Sequence, residues 1–449
     1  MNASHTTRKR AALLGAHLWP LTAAIDEGGR LIIGGCNVAE LARQYGTPLY
    51  LFDEVTIRES CRTWCAALTA GYQGETAVHY ASKALLNSAL ARLIADEGLG
   101  LDVVSGGELY VALHAGFPPQ RIYMHGNAKT RAELEQALSA EIGQIIVDNL
   151  DELEILANLT LYRLRPQPVA LRIAPDIAAD THAHMQTGHA TSKFGLPLDA
   201  LDAAAERLRT APGLRLLGLH AHLGSQLFDL DPYAAEIEVL LDTAARLRDR
   251  YGLTIQEINA GGGMGVPYTA DQKPFDPYAC AARLGEALTC RCRERGFPLP
   301  RLVIEPGRSI IARAGVALYT IVATKNLPHT RFLHIDGGMG DNIRPALYGA
   351  RYTAVLAEQA NAPAEEIVEI AGRYCESGDV LIHAAPLPRA RVGDILAVPV
   401  AGAYTLSMAS TYNLTPRPAV VMVNSGNVRL IQRRETYEDL IARDARDET

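Results

Sequence analysis

The sequence contains no apolar run as long as the roughly 18 residues that a membrane-spanning helix requires. Its N-terminus has one feature of a secretion signal, because the basic residues Arg8 to Arg10 precede the apolar segment Ala11 to Trp19. That segment is short, is interrupted by His17, and has no convincing cleavage site next to Pro20. We therefore expect neither a membrane span nor a signal peptide, and we interpret the chain as a soluble protein.

A strong excess of charge of one sign is also missing. The 449 residues include 43 lysines and arginines against 50 acidic residues, with no basic block beyond Arg8 to Arg10. Nucleic acids and anionic membranes attract clusters of positive charge, so neither is expected as a partner. A small-molecule ligand fits this balance better.

Cysteine is scarce and scattered. The seven residues, an odd number without a CxxC pair, are Cys36, Cys61, Cys65, Cys280, Cys290, Cys292 and Cys375. This pattern excludes a disulfide framework and a paired zinc site of the CxxC type. It suits a reducing cytoplasm.

What the chain does have, from about Glu54 onward, is a regular alternation of short apolar strands and longer amphipathic helices. The eight expected strands are Ala77 to Ala81, Leu101 to Ser105, Ile122 to His125, Gln144 to Asp148, Val169 to Ile173, Leu216 to His222, Glu257 to Ala260 and Leu302 to Glu305. Strict alternation with short connections predicts parallel strands joined by right-handed crossovers. Eight such units predict a closed (β/α)8 barrel of the TIM type, in which functional side chains lie at the carboxyl ends of the strands.

The two ends of the chain differ from this middle part. After about Arg313, strand-like segments replace long helices, and the leader has two short strand-like runs, Leu31 to Gly34 and Pro48 to Phe52. The leader is too small for a core of its own, so we expect it to complete a mainly antiparallel β domain whose loops are marked by prolines such as Pro386. The predicted domains are residues 1–52 for the leader, 53–313 for the barrel and 314–449 for the C-terminal β domain.

Lys83 stands at the end of the first predicted strand, in the sequence Val78-His79-Tyr80-Ala81-Ser82-Lys83-Ala84. A lysine at the end of a buried strand is poorly solvated, and desolvation lowers the proton affinity of its amine. Lys83 is therefore a candidate for forming a Schiff base. A surface lysine is the alternative for this residue taken alone.

The sixth predicted strand ends with two histidines, His220 and His222. Side chains at alternate strand positions point the same way and could bind a metal, but no nearby carboxylate or cysteine completes such a site. We expect no metal there. A flat imidazole at this position can instead stack on an aromatic ring, and Ser225 can donate to an anion.

The last two strand ends also carry residues suited to a ligand. Gly261, Gly262 and Gly263 follow the seventh strand and allow backbone N–H groups to approach an anion such as phosphate. The eighth strand ends in Glu305-Pro306-Gly307-Arg308. Its carboxylate either forms an internal ion pair with Arg308 or a neighbour, or faces a pyridine nitrogen and keeps it protonated.

A strand-end lysine, a stacking histidine, phosphate-binding glycines and a strand-end glutamate describe a pyridoxal phosphate site. The chain resembles the diaminopimelate decarboxylases, a branch of the fold-type III pyridoxal phosphate enzymes, from about Pro48 to Leu440. The resemblance implies an alanine racemase-like barrel with an added β domain. Its motifs are Tyr80-Ala81-Ser82-Lys83-Ala84, Asp102-Val103-Val104-Ser105-Gly106-Gly107-Glu108-Leu109, His125-Gly126-Asn127, Ser192-Lys193-Phe194-Gly195, His222-Leu223-Gly224-Ser225-Gln226, Glu305-Pro306-Gly307-Arg308, Arg344-Pro345-Ala346-Leu347-Tyr348, Cys375-Glu376-Ser377-Gly378-Asp379, Gly402-Ala403-Tyr404 and Tyr412-Asn413.

The resemblance implies a role for each matching residue in the cofactor site. Lys83 is expected to form the Schiff base with pyridoxal phosphate, His222 to stack on its ring, and Glu305 to hold the ring nitrogen. The residues expected around the phosphate are Ser225, Gly262, Gly263, Gly307, Arg308 and Tyr412.

Cys375 is implied as the acid that returns a proton to the α-carbon of the substrate. A thiol suits this task because it is mostly protonated near neutral pH. For a cysteine taken alone, a buried apolar residue is the alternative. In this family the cysteine segment reaches the active site of the neighbouring subunit, so the resemblance also implies a homodimer.

The expected substrate-binding residues are Arg308, Arg344, Tyr348, Glu376 and Tyr412. Two guanidinium groups can hold a distal carboxylate, and a glutamate can pair with a distal ammonium. This pattern favours meso-diaminopimelate, decarboxylated at its D-centre to L-lysine.

Two alternatives stay open. One is a fold-type III decarboxylase of ornithine, lysine or a specialised amino diacid, because His182-Ala183-His184-Met185 and Thr405-Leu406 depart from the family pattern. The other is a non-enzymatic pyridoxal phosphate-binding protein, although such relatives are barrels alone.

The polar loop Asp176 to Ser192 is expected to be a lid beside the substrate.

Overall fold

The computed structural model describes residues 15–177 and 193–445. The chain divides into two compact units. The β unit is formed by Met1–Ile57, Pro267–Pro274 and Ile311–Thr449, and the barrel unit by Arg58–Val266 and Phe275–Ile310. Within the described ranges, every helix is too short or too polar to cross a membrane.

The barrel unit is built on a closed barrel of parallel strands. In chain order, its first to eighth strands are Thr76–Ala81, Gly100–Val103, Ile122–Met124, Gln144–Val147, Gln167–Arg172, Leu214–His220, Glu257–Asn259 and Arg301–Ile304. The eighth strand pairs in parallel with the first, with Leu302 opposite Thr76. The predicted (β/α)8 barrel is confirmed. The sixth strand ends at His220, so His222 lies in the loop that follows it.

Helices alternate with these strands, as predicted. Between Glu54 and Ile311 they are Glu54–Gly71, Ser88–Asp96, Gly106–His114, Arg131–Ser139, Leu150–Leu159, Leu201–Arg209, Asp231–Tyr251, Pro277–Arg295 and Arg308–Ile311. Side chains of Asn87, Ser105 and Asn149 accept hydrogen bonds from the first backbone N–H groups of their helices. Such caps satisfy donors that a helix leaves unpaired, and they fix where each strand-end loop stops.

The β unit contains a mainly antiparallel sheet and a small three-stranded sheet. Its strands are Ala24–Ile25, Leu31–Ile33, Cys36–Asn37, Leu49–Asp53, Gly315–Leu327, Thr330–Ile335, Val355–Leu356, Glu366–Ala371, Val380–Leu387, Ile395–Val398, Ala419–Asn424 and Asn427–Gln432. Its helices are Val38–Tyr45, Arg344–Tyr348 and Tyr437–Ile441.

The leader completes this sheet, as expected. Its strand Leu49–Asp53 pairs antiparallel with Gly315–Leu327 and parallel with Ala419–Asn424. All five residues of that strand are buried, which explains why a segment without its own core is ordered. The expectation that Pro386 marks a loop is wrong, because Pro386 lies in the strand Val380–Leu387 opposite Ile367.

We predict that Gly285→Ala destabilises the barrel unit by about 2 kcal/mol, as overpacked cores do. A Cβ at position 285 would lie 1.9 Å from the carbonyl oxygen of Gly71, where two helices meet backbone to backbone. The measurement is the free energy of unfolding in urea.

The matched control is Gly107→Ala, where the nearest atom would be the Ser105 hydroxyl at 3.7 Å. It should leave stability unchanged or slightly raised, because alanine is the better helix former. Equal losses for both variants would contradict the packing argument.

Candidate active site

The carboxyl ends of the barrel strands carry a set of buried polar side chains. They are His79, Asp102, His125, Asp148, Arg172, His220, Asn259 and Glu305. Each comes from the end of a different strand or the first residues after it. Buried charges need partners, so these residues can remain there only as a connected set.

Glu305 lies at the centre of this set and contacts three neighbours. The amide Nδ2 of Asn259 donates to its Oε1 at 2.6 Å, and Nε2 of His220 donates to its Oε2 at 3.2 Å. Nε2 of His125 lies 3.1 Å from Oε1. Glu305 is thus paired with side chains at the ends of the third, sixth and seventh strands and not with Arg308.

The electrostatics of this cluster fix which group is charged. Burial by itself raises the pKa of the Glu305 carboxyl, but His125 and His220 offset this effect and hold that pKa well below its ordinary value. For His125, burial lowers the pKa, yet the charges of Glu305 and Asp102 raise it to about 9. Burial lowers the pKa of His220 to about 4. At neutral pH the cluster therefore contains an ionised Glu305, a protonated His125 and a neutral His220.

This arrangement corrects one argument from the sequence. The histidines of the sixth strand were expected to have no carboxylate beside them, but His220 lies against Glu305 and near His125. Ligand atoms of these three residues lie within 4.8 Å of one another, close enough to surround an ion. The other histidine, His222, is not part of this group.

Lys83 follows the first strand in a short 3-10 turn, Ser82–Ala84. Its side chain is exposed, so the expectation of a poorly solvated amine is wrong. Glu108 fixes this turn, because its carboxylate accepts hydrogen bonds from the Ser82 hydroxyl at 2.5 Å and from the N–H of Val104 at 2.8 Å. Burial raises the pKa of Glu108, although the charge of Lys83 counteracts that effect.

His222 is oriented by the glycine loop after the seventh strand. Its Nδ1 accepts a hydrogen bond from the N–H of Gly262 at 3.1 Å, which leaves the ring proton on Nε2. Desolvation, and then the positive charge of Lys83, lowers the pKa of His222 well below its ordinary value. The imidazole is therefore neutral, and Lys83 lies close enough to act on it.

The glycines at the strand ends allow backbone to pack on backbone. A Cβ at Gly262 would lie 2.2 Å from the carbonyl oxygen of Glu305, and one at Gly263, where φ is +95°, would lie 2.3 Å from that of Gly224. A Cβ at Gly307 would lie 2.9 Å from the carbonyl oxygen of Ala81. Side chains at these positions would push apart the loops of the sixth, seventh and eighth strands and the end of the first strand.

Ser225 and Arg308 meet beside these loops. The guanidinium Nη2 of Arg308 donates to the Ser225 hydroxyl oxygen at 2.8 Å. Arg308 is buried, so its positive charge is concentrated where the loops converge. A hydroxyl, a guanidinium and glycine N–H groups form a donor set suited to a phosphate.

The β unit carries a second group of predicted residues. Arg344 and Tyr348 begin and end the short helix Arg344–Tyr348, where residues four apart share a face. Arg344 is buried and its Nη1 donates to the Tyr352 hydroxyl at 2.6 Å. Tyr348 is half-buried.

Cys375 and Glu376 are exposed in a loop of the β unit. The N–H of Cys375 donates to Oδ1 of Asn413 at 3.0 Å. The ring of Tyr374 stacks on that of Tyr412 with the centroids 6.0 Å apart. The structure thus brings the Cys375 segment and the Tyr412 segment together.

Several residues of the buried set had not been predicted from the sequence as site residues. His125 and Asp102 were part of motifs without a stated role, while His79 and Asn259 were read only as strand residues. A signal existed, since Asn259 and His79 are polar residues inside short apolar strands that are buried on both faces. Residues 178–192 of the predicted lid, which include His182, His184, His189 and Ser192, lie outside the described residues.

The chain is similar to known proteins over almost its whole length. Residues 54–312 match the family model for the pyridoxal-dependent decarboxylase, pyridoxal binding domain. The diaminopimelate decarboxylase of Bacillus subtilis (strain 168) is 43% identical over 427 residues, which cover 94% of this chain and 97% of that protein. The diaminopimelate decarboxylase of Synechocystis sp. is 42% identical over 439 residues, or 95% and 93% of the two chains.

Solved structures agree with this similarity. A diaminopimelate decarboxylase from M. jannaschii in complex with L-lysine matches with a TM-score of 0.88 and 35% identity, over 96% of this chain and 98% of that one. A lysine/ornithine decarboxylase from Vibrio vulnificus has a TM-score of 0.73 at 23% identity, over 86% and 97%, and shares the fold.

We predict that His125 makes unfolding depend on pH above neutrality. Its pKa is about 9 in the folded chain against an ordinary value of 6.5, so the folded state binds the proton more tightly. The resulting stability is fully present below about pH 6.5 and is lost as the pH rises through 9, a change of about 3 kcal/mol. The measurement is the free energy of unfolding from pH 6 to 10.

In the variant His125→Gln, the free energy of unfolding should change less between pH 6 and pH 10 than in the natural chain. His220→Gln is the matched control, because the pKa of His220 is about 4 and this group does not titrate there. A profile that stays steep in His125→Gln would contradict the assignment.

Proposed function

Since the chain belongs to the diaminopimelate decarboxylases, within the pyridoxal-dependent decarboxylase family, we propose that it decarboxylates meso-2,6-diaminopimelate at the D-centre to L-lysine and carbon dioxide. Relatives of that name at 43% and 42% identity, aligned over almost the full chain, support the reaction. In the structure, the observation that carries the proposal is the ionised carboxylate of Glu305, buried among His125, His220 and Asn259.

The barrel residues fit pyridoxal phosphate in both charge and shape. Arg308, Ser225 and the glycine loops supply donors and open backbone for a phosphate, and Glu305 supplies a negative charge for a ring nitrogen. We assign the phosphate to Ser225, Gly262, Gly263, Gly307 and Arg308 of the barrel unit, and we retain Tyr412 as a phosphate-binding residue from the resemblance to the family. The N–H of Gly262 donates to Nδ1 of His222, so Gly262 makes room for the phosphate only because it has no side chain. The backbone N–H donors for the phosphate are then those of Gly263 and Gly307.

When bound, the cofactor supplies an electron-accepting ring for the electron pair that decarboxylation leaves on the α-carbon. Glu305 keeps a proton on the ring nitrogen, because its own carboxyl stays ionised at neutral pH. The neutral imidazole of His222 would contact the ring without adding charge. Lys83 would hold the cofactor through its amine, and the exposure of Lys83 would leave that amine accessible to the substrate.

Arg344 is the group that favours an amino diacid as the substrate. Its guanidinium is buried, its Nε is without a hydrogen-bond partner, and no acidic side chain of the described residues forms an ion pair with it. A distal carboxylate would satisfy that charge, whereas ornithine and lysine have none to offer. From the resemblance to the family, we retain Arg308 and Tyr348 as further substrate-binding residues, and the exposed Glu376 as the residue for the distal ammonium.

Cys375 provides the proton that replaces the lost carboxylate on the α-carbon. Its exposure allows a substrate to reach the thiol, and Asn413 fixes its backbone. We also propose a homodimer in which this segment serves the active site of the partner subunit. All seven cysteines are free thiols, which suits work in the reducing cytoplasm.

We predict that the purified protein with pyridoxal phosphate forms L-lysine and carbon dioxide from meso-diaminopimelate, and that Lys83→Ala abolishes the reaction. The parallel substrates are L-lysine, L-ornithine and L-arginine, which should not react. Lys325→Ala, at an exposed lysine of the β unit, is the control and should keep full activity. If only another amino acid reacts, the assignment of the cofactor would stand, but the assignment of meso-diaminopimelate as the substrate would be wrong.

Cys375→Ala should lower kcat about 100-fold or more, the usual contribution of a positioned acid, while the cofactor's absorbance with Lys83 stays unchanged. Cys290→Ala is the matched control, because Cys290 is also an exposed thiol but lies on the helix Pro277–Arg295. An unaffected kcat in Cys375→Ala would exclude the thiol as the acid.

A further inference from the structure

Arg344 is held by two tyrosines. Its guanidinium carbon lies 4.4 Å from the ring centroid of Tyr268 and 5.7 Å from that of Tyr352. The two rings meet edge to face, with their centroids 5.3 Å apart and an angle of 81° between the planes. The hydroxyl oxygen of Tyr352 accepts from Nη1 of Arg344 at 2.6 Å. All three side chains are buried, with exposed fractions of 4% to 6%.

This surrounding fixes the guanidinium without neutralising it. Aromatic faces attract a cation through their electron distribution but carry no net charge. A carboxylate in their place would take up the donors of the guanidinium and cancel its charge. The Arg344 site is therefore rigid and still positively charged, which is what binding an anion with little loss of side-chain entropy requires.

The backbone contributes to the same rigidity. Pro345 follows Arg344 at the start of the short helix, and Gly349 ends it in the left-handed conformation with φ of +61°. The N–H of Arg344 also faces Oδ1 of Asn342 at 3.4 Å. Both ends of the arginine, the backbone and the guanidinium, are thus held.

We propose that Tyr352 and Tyr268 are positioning residues that hold Arg344 for the carboxylate of the substrate's distal stereocentre, and that they thereby set the preference for amino diacids over substrates with a single carboxylate such as ornithine and lysine. This inference rests on the proposed function. Tyr352 fixes the direction of the guanidinium through a hydrogen bond. Tyr268 fixes its plane through the ring face.

The test compares two ligands that differ by one carboxylate. L-Lysine retains the stereocentre that was distal in the substrate, and 1,5-diaminopentane has the same two amines without the carboxylate. Tyr352→Phe removes a hydrogen bond to a charged group, worth about tenfold in binding. It should raise the inhibition constant of L-lysine and the KM for meso-diaminopimelate by about this factor. The kcat and the inhibition constant of 1,5-diaminopentane should stay within about twofold.

Tyr268 is tested by a pair of substitutions. Tyr268→Leu removes the aromatic face and should weaken the binding of L-lysine about threefold or more, which is the range of a buried cation–π contact. Tyr268→Phe keeps the face and should restore L-lysine binding. Tyr72→Phe is the control for loss of a buried hydroxyl, because Tyr72 donates to the carbonyl oxygen of Pro300 in the barrel unit. It should change neither inhibition constant.

The outcomes separate the inference from the function on which it rests. If Tyr352→Phe weakens the binding of L-lysine and of 1,5-diaminopentane equally, Tyr352 has a merely structural role and the inference is wrong. Unchanged binding of L-lysine would also overturn the inference. In both cases the unsubstituted enzyme would still convert meso-diaminopimelate. An unsubstituted enzyme that does not convert meso-diaminopimelate would overturn the proposed function, and the inference with it.

Discussion

A carboxylate buried at the end of a parallel barrel has to be neutralised by its neighbours, and the other polar residues at these strand ends follow from that need. Glu305 stays ionised because His125 carries a proton, and His125 carries that proton because Glu305 and Asp102 lie 3.1 Å and 3.6 Å from its Nε2. Asn259 and His220 satisfy the remaining acceptor positions of the carboxylate. Removing one charge would leave its partner buried and unpaired, which costs several kcal/mol.

The same constraint explains the shape of the loops. Glu305 can accept from Asn259 and His220 only if the ends of the sixth, seventh and eighth strands lie close together. The glycines after these strands permit that approach, since a Cβ at Gly262 would collide with the backbone of Glu305. The loops that are free of side chains for this reason are also the ones that leave room for a phosphate. Backbone packing and ligand binding therefore both require glycine at the same positions.

Much of this organisation could be predicted from local sequence, because strands, helices and strand ends depend on residues near one another in the chain. Lys83, His222 and Glu305 could be named because each follows an apolar run at a barrel strand. The partners of Glu305 could not, since His125 lies 180 residues away along the chain and the contact depends on barrel closure. The exposure of Lys83 was missed for a related reason, because Lys83 lies in a 3-10 turn after the strand, and that turn is fixed by a hydrogen bond from Ser82 to the half-buried Glu108.

The two units show two ways to keep a buried charge. In the barrel unit, Glu305 is surrounded by donors and by a protonated imidazole, which lock its charge in one state. In the β unit, Arg344 is held by aromatic faces and a phenol, which leave its charge uncompensated. A locked anion suits a constant task such as keeping a ring nitrogen protonated. An uncompensated cation suits selection, because its burial becomes favourable only when an anionic ligand arrives.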